Sequence, residues 1–122
     1  MKTRIDDLYY ELDSQKQTAT VSQYRYKTQK YAGNVIIPAS VQYNNCSYKV
    51  TKIETRAFFH CTDLISVTLP KTIRSIGDYA FCGCTRLTGI AIPNAVTSIG
   101  DSVFSGCSEL KTVTLPPKIE NI

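Results

Sequence analysis

A 23-residue spacing runs through the second half of this 122-residue chain and constrains its fold more than any other feature. Cys61, Cys84 and Cys107 are each 23 apart. So are Leu64, Leu87 and Leu110, and so are Phe58, Phe81 and Phe104. Pro70, Pro93 and Pro116 keep the interval, and Ile53, Ile76, Ile99 and Ile122 keep it over four copies. A period of about 20–50 residues marks an array in which each unit stacks only on its neighbours.

The pattern inside a unit gives its physics. Val67 and Leu69 alternate with Ser66 and Thr68, which predicts a strand with one buried face. Pro70 follows, lacks an N–H and ends the ladder. Ile73 and Ile76 form a second apolar pair, expected on the opposite wall of the coil. Gly77 and Gly100 are expected to turn the next corner at positive φ. Ala80-Phe81 reads as a short helical or 3-10 turn that fills the coil with an aromatic ring. Stacking then makes one column of leucines and one of phenylalanines. Each buried Leu, Ile or Phe contributes about 1.5–3 kcal/mol, against roughly 1–2 kcal/mol of backbone entropy per residue. So few units stand near the minimum for stability, and the ends matter.

Positions 1–48 do not keep the period and hold seven of the eight tyrosines. Leu8, Tyr10 and Leu12 alternate with polar residues, Asp13-Ser14-Gln15-Lys16 reads as a turn, and Ala19 and Val21 alternate next. This predicts a β-hairpin. Val35-Ile36-Ile37-Pro38 has the form of a strand and its proline corner. Pro38 lies further from Pro70 than the period allows, and the excess is an insertion that contains Tyr43-Asn44-Asn45-Cys46. We expect an N-terminal hairpin cap over 1–32, an irregular first coil over 33–52 and regular repeats over 53–122. The sequence stops at Ile122 in the middle of a unit. A piece of a longer array is one expectation; an open C-terminal face covered by a second copy, giving a homodimer, is the other.

Leu64-x-x-Val67-x-Leu69 matches the L-x-x-L-x-L core of leucine-rich repeats. The longer phrase Ile76-Gly77-x-x-Ala80-Phe81-x-Gly83-Cys84-x-x-Leu87-x-x-Ile90-x-Ile92-Pro93 resembles the BspA-type leucine-rich repeat family, over about residues 33–122. Tyr48-x-Val50-Thr51-x-Ile53-x-x-x-Ala57-Phe58 is similar to the way such arrays begin. The resemblance implies a mainly β, right-handed leucine-rich-repeat solenoid of short strands and short helical or 3-10 turns. Such families are common in surface and secreted proteins of gut and oral bacteria and are associated with adhesion to host matrix proteins. It therefore implies a non-enzymatic, adhesin-like protein-binding module, extracellular or at the cell surface. A structural spacer or oligomerisation segment, or an intracellular scaffold, are the alternatives. The repeat asparagine of other leucine-rich repeats is absent, with Thr72, Ala95 and Lys118 near its place. Val103 stands where Ala80 does, a small overpacking.

Other function classes find little support. At 43% hydrophobic and 20% charged, the chain has the composition of an ordinary globular protein rather than a disordered one. Positions 1–48 carry six basic and four acidic side chains, and positions 49–122 carry eight and six, so each part is +2. With no basic block, nucleic acid is not the expected partner. Arg25, Lys27 and Lys30 interleave with Tyr24, Tyr26 and Tyr31. That alternation is read as a packed tyrosine face backed by a solvated charged one rather than a stacking platform. No apolar run approaches the roughly 18 residues of a membrane span, and the chain's start has no signal-peptide core. A cytoplasmic protein and a mature fragment both fit that start.

Cys61, Cys84 and Cys107 recur once per coil. Stacked about 4.7–4.9 Å apart, three thiolates do not share one zinc at about 2.3 Å per bond. A column of buried thiols is the expected state, with no metal or other cofactor. Cys46 and Cys82 are left over and could form a disulfide. His60 beside Cys61 has no orienting acid and adjacent side chains diverge, so no catalytic residue is assigned. Asn45-Cys46-Ser47 matches a glycosylation sequon by chance. The candidate protein-binding face is the outward side of the strands: Ser66, Thr68, Gly89, Ala91, Thr112 and Thr114, flanked by Ile65, Thr88 and Lys111. It is small and neutral and lacks the Trp, Tyr or Arg anchors of hot spots.

Overall fold

A computed structural model describes residues 2–24 and 30–116. Its strands are β1 Lys2–Ile5, β2 Leu8–Asp13, β3 Thr18–Ser22, β4 Gly33–Ile36, β5 Ser40–Tyr43 and β6 Cys46–Ile53, then β7 Leu64–Thr68, β8 Ser75–Ile76, β9 Gly89–Ala91, β10 Ser98–Ile99 and β11 Thr112–Thr114. They form two walls. One is a sheet in the order β1-β2-β3-β6-β8-β10, with β5 also on β6. The other is made of two parallel pairs, β4 beside β7 and β9 beside β11. The expectation of an open coil end at Ile122 lies outside the described residues.

The repeat sets the register. Ile53, Ile76 and Ile99 are direct partners in the parallel ladder of β6, β8 and β10. Their side chains and Ile73 are buried against Leu64, Leu87 and Ile90 of the opposite wall. The expected hairpin is present as β2 and β3, with Tyr10 opposite Val21 and Leu12 opposite Ala19. An additional strand, β1, pairs with β2 on the outer side. β3 runs parallel to β6, so the hairpin hands the wall directly to the first coil. The insertion is a second hairpin, β5 to β6. Its turn residues Asn44 and Asn45 lie at φ 50° and 64°, the left-handed pair that a tight hairpin turn requires.

The turn carrying the phenylalanine is not helical. Among the described residues there is no α- or 3-10 helix. Instead each turn is a succession of β-turns: the amides of Ala57, Phe59 and Cys61 donate to the carbonyls of Glu54, Arg56 and Phe58. A left-handed residue interrupts any helix at two fixed places. Arg56, Tyr79 and Ser102 occupy the first, at φ 54° to 60°, and His60, Gly83 and Gly106 the second, at φ 54° to 78°. Neighbouring turns are laced together, since Phe58 N–H donates to the Ala80 carbonyl and Phe81 N–H to that of Val103.

The glycines after the isoleucines also act differently from expectation. Neither Gly77 nor Gly100 is at positive φ. They are needed because coils approach there. A Cβ on Gly77 would stand 2.5 Å from the Thr55 nitrogen, and one on Gly100 equally close to that of Asp78. The space a side chain would take is filled by the preceding coil's backbone.

The phenylalanine column is longer than the repeat. Phe58 and Phe81 stack at 5.0 Å, and Phe81 and Phe104 at 6.1 Å. Tyr31 continues it 4.7 Å from Phe58, followed by Tyr24 and Tyr9 at 4.7 and 5.2 Å. The Tyr31 hydroxyl accepts from the Tyr9 amide and donates to the Ser22 carbonyl, tying the cap hairpin to the coil. Tyr24 and Tyr31 pack in this column, though neither lies on a strand; the alternating positions on which the expected tyrosine face rests, with Arg25, Tyr26 and Lys27, lie outside the described residues.

The repeated cysteines bind coil to coil. The Cys84 thiol donates to the Phe58 carbonyl at 3.1 Å, and Cys107 does the same to Phe81 at 3.0 Å. Cys46 and Cys82 are both free thiols, so the leftover pair is not bridged. Burial pushes Cys61 up from 9.0 to about 11, partly offset by the Tyr31 backbone and the Lys30 charge. Cys84 and Cys107 are raised for the same reason. Burial, with the Asp6 charge, pushes Tyr10 from 10.0 up to about 12. A group whose folded-state value is raised stabilises the fold below its unfolded value and loses that contribution as pH climbs through the folded one. Stability should therefore hold below about pH 9 and decline from there towards pH 12. Thermal melts across that range check it; a flat alkaline limb would refute the assignment.

Candidate functional site

All six residues predicted for the face lie on β7, β9 and β11. Thr112 is opposite Gly89, and Thr114 opposite Ala91, in the ladder of β9 and β11. Ser66 and Thr68 sit on β7, opposite Asn34 and Ile36 of β4. Two columns result: Asn34, Ser66, Gly89, Thr112, and Ile36, Thr68, Ala91, Thr114. The first is partly covered by its own contacts. Ser66 Oγ donates to Asn34 Oδ1 at 2.6 Å, and Thr112 Oγ1 occupies the place a Cβ on Gly89 would need. The second column is exposed throughout.

Sequence reasoning missed Asn34 and Ile36. Ile36 is 74% exposed, the most exposed large apolar side chain among the described residues. The signal was present. Aligning Pro38 with Pro70 puts Ile36 in the column of Thr68. The face is also not one continuous sheet. Among the described residues no backbone hydrogen bond joins β7 to β9, so it consists of two parallel pairs side by side.

A second exposed feature lies at the turns. The Arg56 guanidinium stands 4.9 Å from the Tyr79 ring centre and 5.6 Å from that of Phe59. His60 stacks on Phe59 at 4.0 Å and covers Gly83, which has no side chain to oppose it. His60 thus points outward while Cys61 is buried, and the two do not form a catalytic pair. These are the Arg and aromatic types that the strand face lacks. The left-handed backbone at Arg56 and Tyr79 turns them outward.

A third feature is a cleft of about 500 Å³ between the β1–β2 turn and β4, lined by Ile5, Asp6, Leu8, Tyr10, Val35 and Ile36 among others. No helix among the described residues is long and apolar enough to cross a membrane.

Comparison with known proteins agrees with this architecture. The profile described as a BspA type leucine rich repeat region (6 copies) matches residues 20–122, beginning inside β3. A leucine-rich repeat protein from Bacteroides ovatus superimposes with a TM-score of 0.87 at 32% identity, over 98% of this chain and 31% of that one. A leucine rich cell surface protein from Faecalibacterium prausnitzii gives 0.77 at 32% identity, over 92% and 30%. A T. pallidum leucine rich repeat protein gives 0.79 at 28% identity, over 98% and 52%. The chain thus spans about a third of the first two and half of the third. No curated protein matches significantly. Repeats of this type are non-enzymatic protein-interaction scaffolds that present a stacked surface. From its periodic columns, its two walls and a profile match over residues 20–122, the chain belongs to the BspA type leucine-rich repeat family.

Proposed function

We propose that this chain is an adhesin-like, protein-binding segment of a longer surface-displayed or secreted leucine-rich-repeat protein. Its contact face is the outer side of β4, β7, β9 and β11. The observation that carries the reading is the exposed column Ile36, Thr68, Ala91 and Thr114, headed by an isoleucine held 74% in water. A single exposed apolar side chain is ordinary on a protein surface; what supports the reading is its place at the head of an exposed, uncharged column that continues from coil to coil. Surface display is supported by the similar Faecalibacterium prausnitzii protein, itself described as a cell surface protein. The partner class, host extracellular-matrix protein, rests on the family resemblance. A face this small with one anchor binds weakly, and works through repetition along a longer array.

Biolayer interferometry against a panel of immobilised matrix proteins tests the reading. Thr68→Glu, Ala91→Glu and Thr114→Glu together should weaken binding by roughly tenfold or more, since three carboxylates would be desolvated. Arg56→Ala at the turn surface should leave it unchanged. Loss in Arg56→Ala with the triple variant unaffected would move the contact to the turns. Silence across the panel would end the adhesin reading.

A further inference from the structure

β4 has one paired side and one open side. The amides of Gly33 and Ile37 donate to the carbonyls of Asp63 and Thr68 at 2.9 and 3.0 Å. Bonds in a parallel ladder alternate along a strand. The amides and carbonyls of Asn34 and Ile36 therefore face away from β7, where no strand among the described residues pairs with them. Natural sheets blunt such edges with lysine, proline, a cover or a strong bulge. Here the strand carries Asn34, Val35 and Ile36, and its one register shift falls at its start, between Gly33 and Asn34.

The open side faces the 500 Å³ cleft, a size within the range of about 300–1,000 Å³ typical of ligand clefts. One wall is the strand edge with Ile36. The other is the β1–β2 turn with Ile5, Asp6, Asp7 and Leu8. Asp7 is 3.7 Å from Arg4 and almost wholly in solvent, while Asp6 has no ion pair among the described residues. Lys30, the one cation lining the cleft among the described residues, directs its ammonium to the Phe59 carbonyl at 3.4 Å. An acidic, partly apolar wall therefore stands across from free backbone groups, on a chain whose net charge is +4.

We propose that the free edge of β4 receives an extended peptide segment carrying a basic side chain. The segment adds as a strand in the cleft and sets that side chain against Asp6 and Asp7. Amides and carbonyls at strand spacing are matched by another backbone. The exposed Ile36 favours an apolar neighbour, and the carboxylates select the charge. The site shares with the proposed function a polypeptide partner and the residue Ile36, but it uses the edge of β4 rather than the outer face.

The probe is a short soluble peptide of alternating Thr and Val with one central Lys, compared with the same peptide carrying Glu. Amide exchange by NMR reads the site directly. In the free protein, Asn34 and Ile36 should exchange much faster than Val35 and Ile37. Saturation with the Lys peptide should slow Asn34 and Ile36 by roughly tenfold or more, and the Glu peptide should bind roughly tenfold more weakly. Ile36→Pro removes the donor on the open side without touching the β7 ladder, an arrangement edge strands tolerate. It should lose the Lys peptide, while Ile36→Val should keep it. Asp6→Asn should reduce the preference for Lys over Glu. If Ile36→Pro melts early, the exchange data on the natural sequence decide alone.

No binding at millimolar peptide, or saturation without protection of Asn34 and Ile36, overturns the proposal. Protection that rises with protein concentration alone also overturns it and gives the edge to a second copy of the chain. The triple glutamate variant of the outer face should still take the peptide, so loss of one site is told apart from loss of the other.

Discussion

Phe81→Ala is expected to lower the unfolding free energy by about 3–5 kcal/mol. Phe81 has no solvent exposure and lies between two parallel rings, 5.0 Å from Phe58 and 6.1 Å from Phe104. Its removal leaves a ring-sized void that the laced turns cannot close, because Phe58 N–H, Phe81 N–H and the Cys84 and Cys107 thiols fix the spacing. Domains of this size hold about 5–15 kcal/mol in all, so the variant keeps little margin. Phe104→Ala should cost distinctly less, since that ring is only partly buried. Urea titration of both variants gives the comparison. Equal midpoints would mean that the column is not the central support of the stack.

Gly77→Ala is expected to be nearly as damaging, about 2–3 kcal/mol, for the opposite reason. The added Cβ would fall 2.5 Å from the Thr55 nitrogen and 2.8 Å from its Cα, and backbone does not step aside as a flexible side chain would. To relieve the clash, the coils must separate, which stretches the Gly77-to-Ile53 and Arg74-to-Thr51 hydrogen bonds. Gly33→Ala is the informative control. It has nothing within 4 Å, but its φ of 73° makes any side chain strained, at about 1–2 kcal/mol. The melting temperature of Gly77→Ala should fall further than that of Gly33→Ala. The reverse order would show that contact between coils is looser than the geometry states.

The columns of leucine, isoleucine and phenylalanine are legible in the sequence because a stacked architecture writes the same demand into every coil. What falls outside that rhythm is not. Tyr31 belongs to the aromatic column but stands further before Phe58 than the period allows, because the second hairpin intervenes. The turns read as helical because Ala80-Phe81 favours neither alternative, and the left-handed positions are filled by Arg56, His60 and Tyr79 as well as by glycine. Gly77 invites a reading through its freedom of φ, whereas its use is the absence of a side chain. On the outer face, alternation locates Ser66, Thr68, Gly89, Ala91, Thr112 and Thr114. The same alternation in Val35-Ile36-Ile37-Pro38 holds Ile36, two residues before its proline as Thr68 is before Pro70, and the observed register with Thr68 brings it into the column.

The break between β7 and β9 gives the molecule a soft direction. β6, β8 and β10 are joined strand to strand, and the turns are laced along the same axis, so one side of the stack behaves as an inextensible spine. The outer-face side has no such fastening between β7 and β9. Bending that fans the outer face open therefore concentrates there, like a book opening at one page, while the spine keeps its length. A target more sharply curved than the resting face would be met by this anisotropic compliance, without any coil giving up its core.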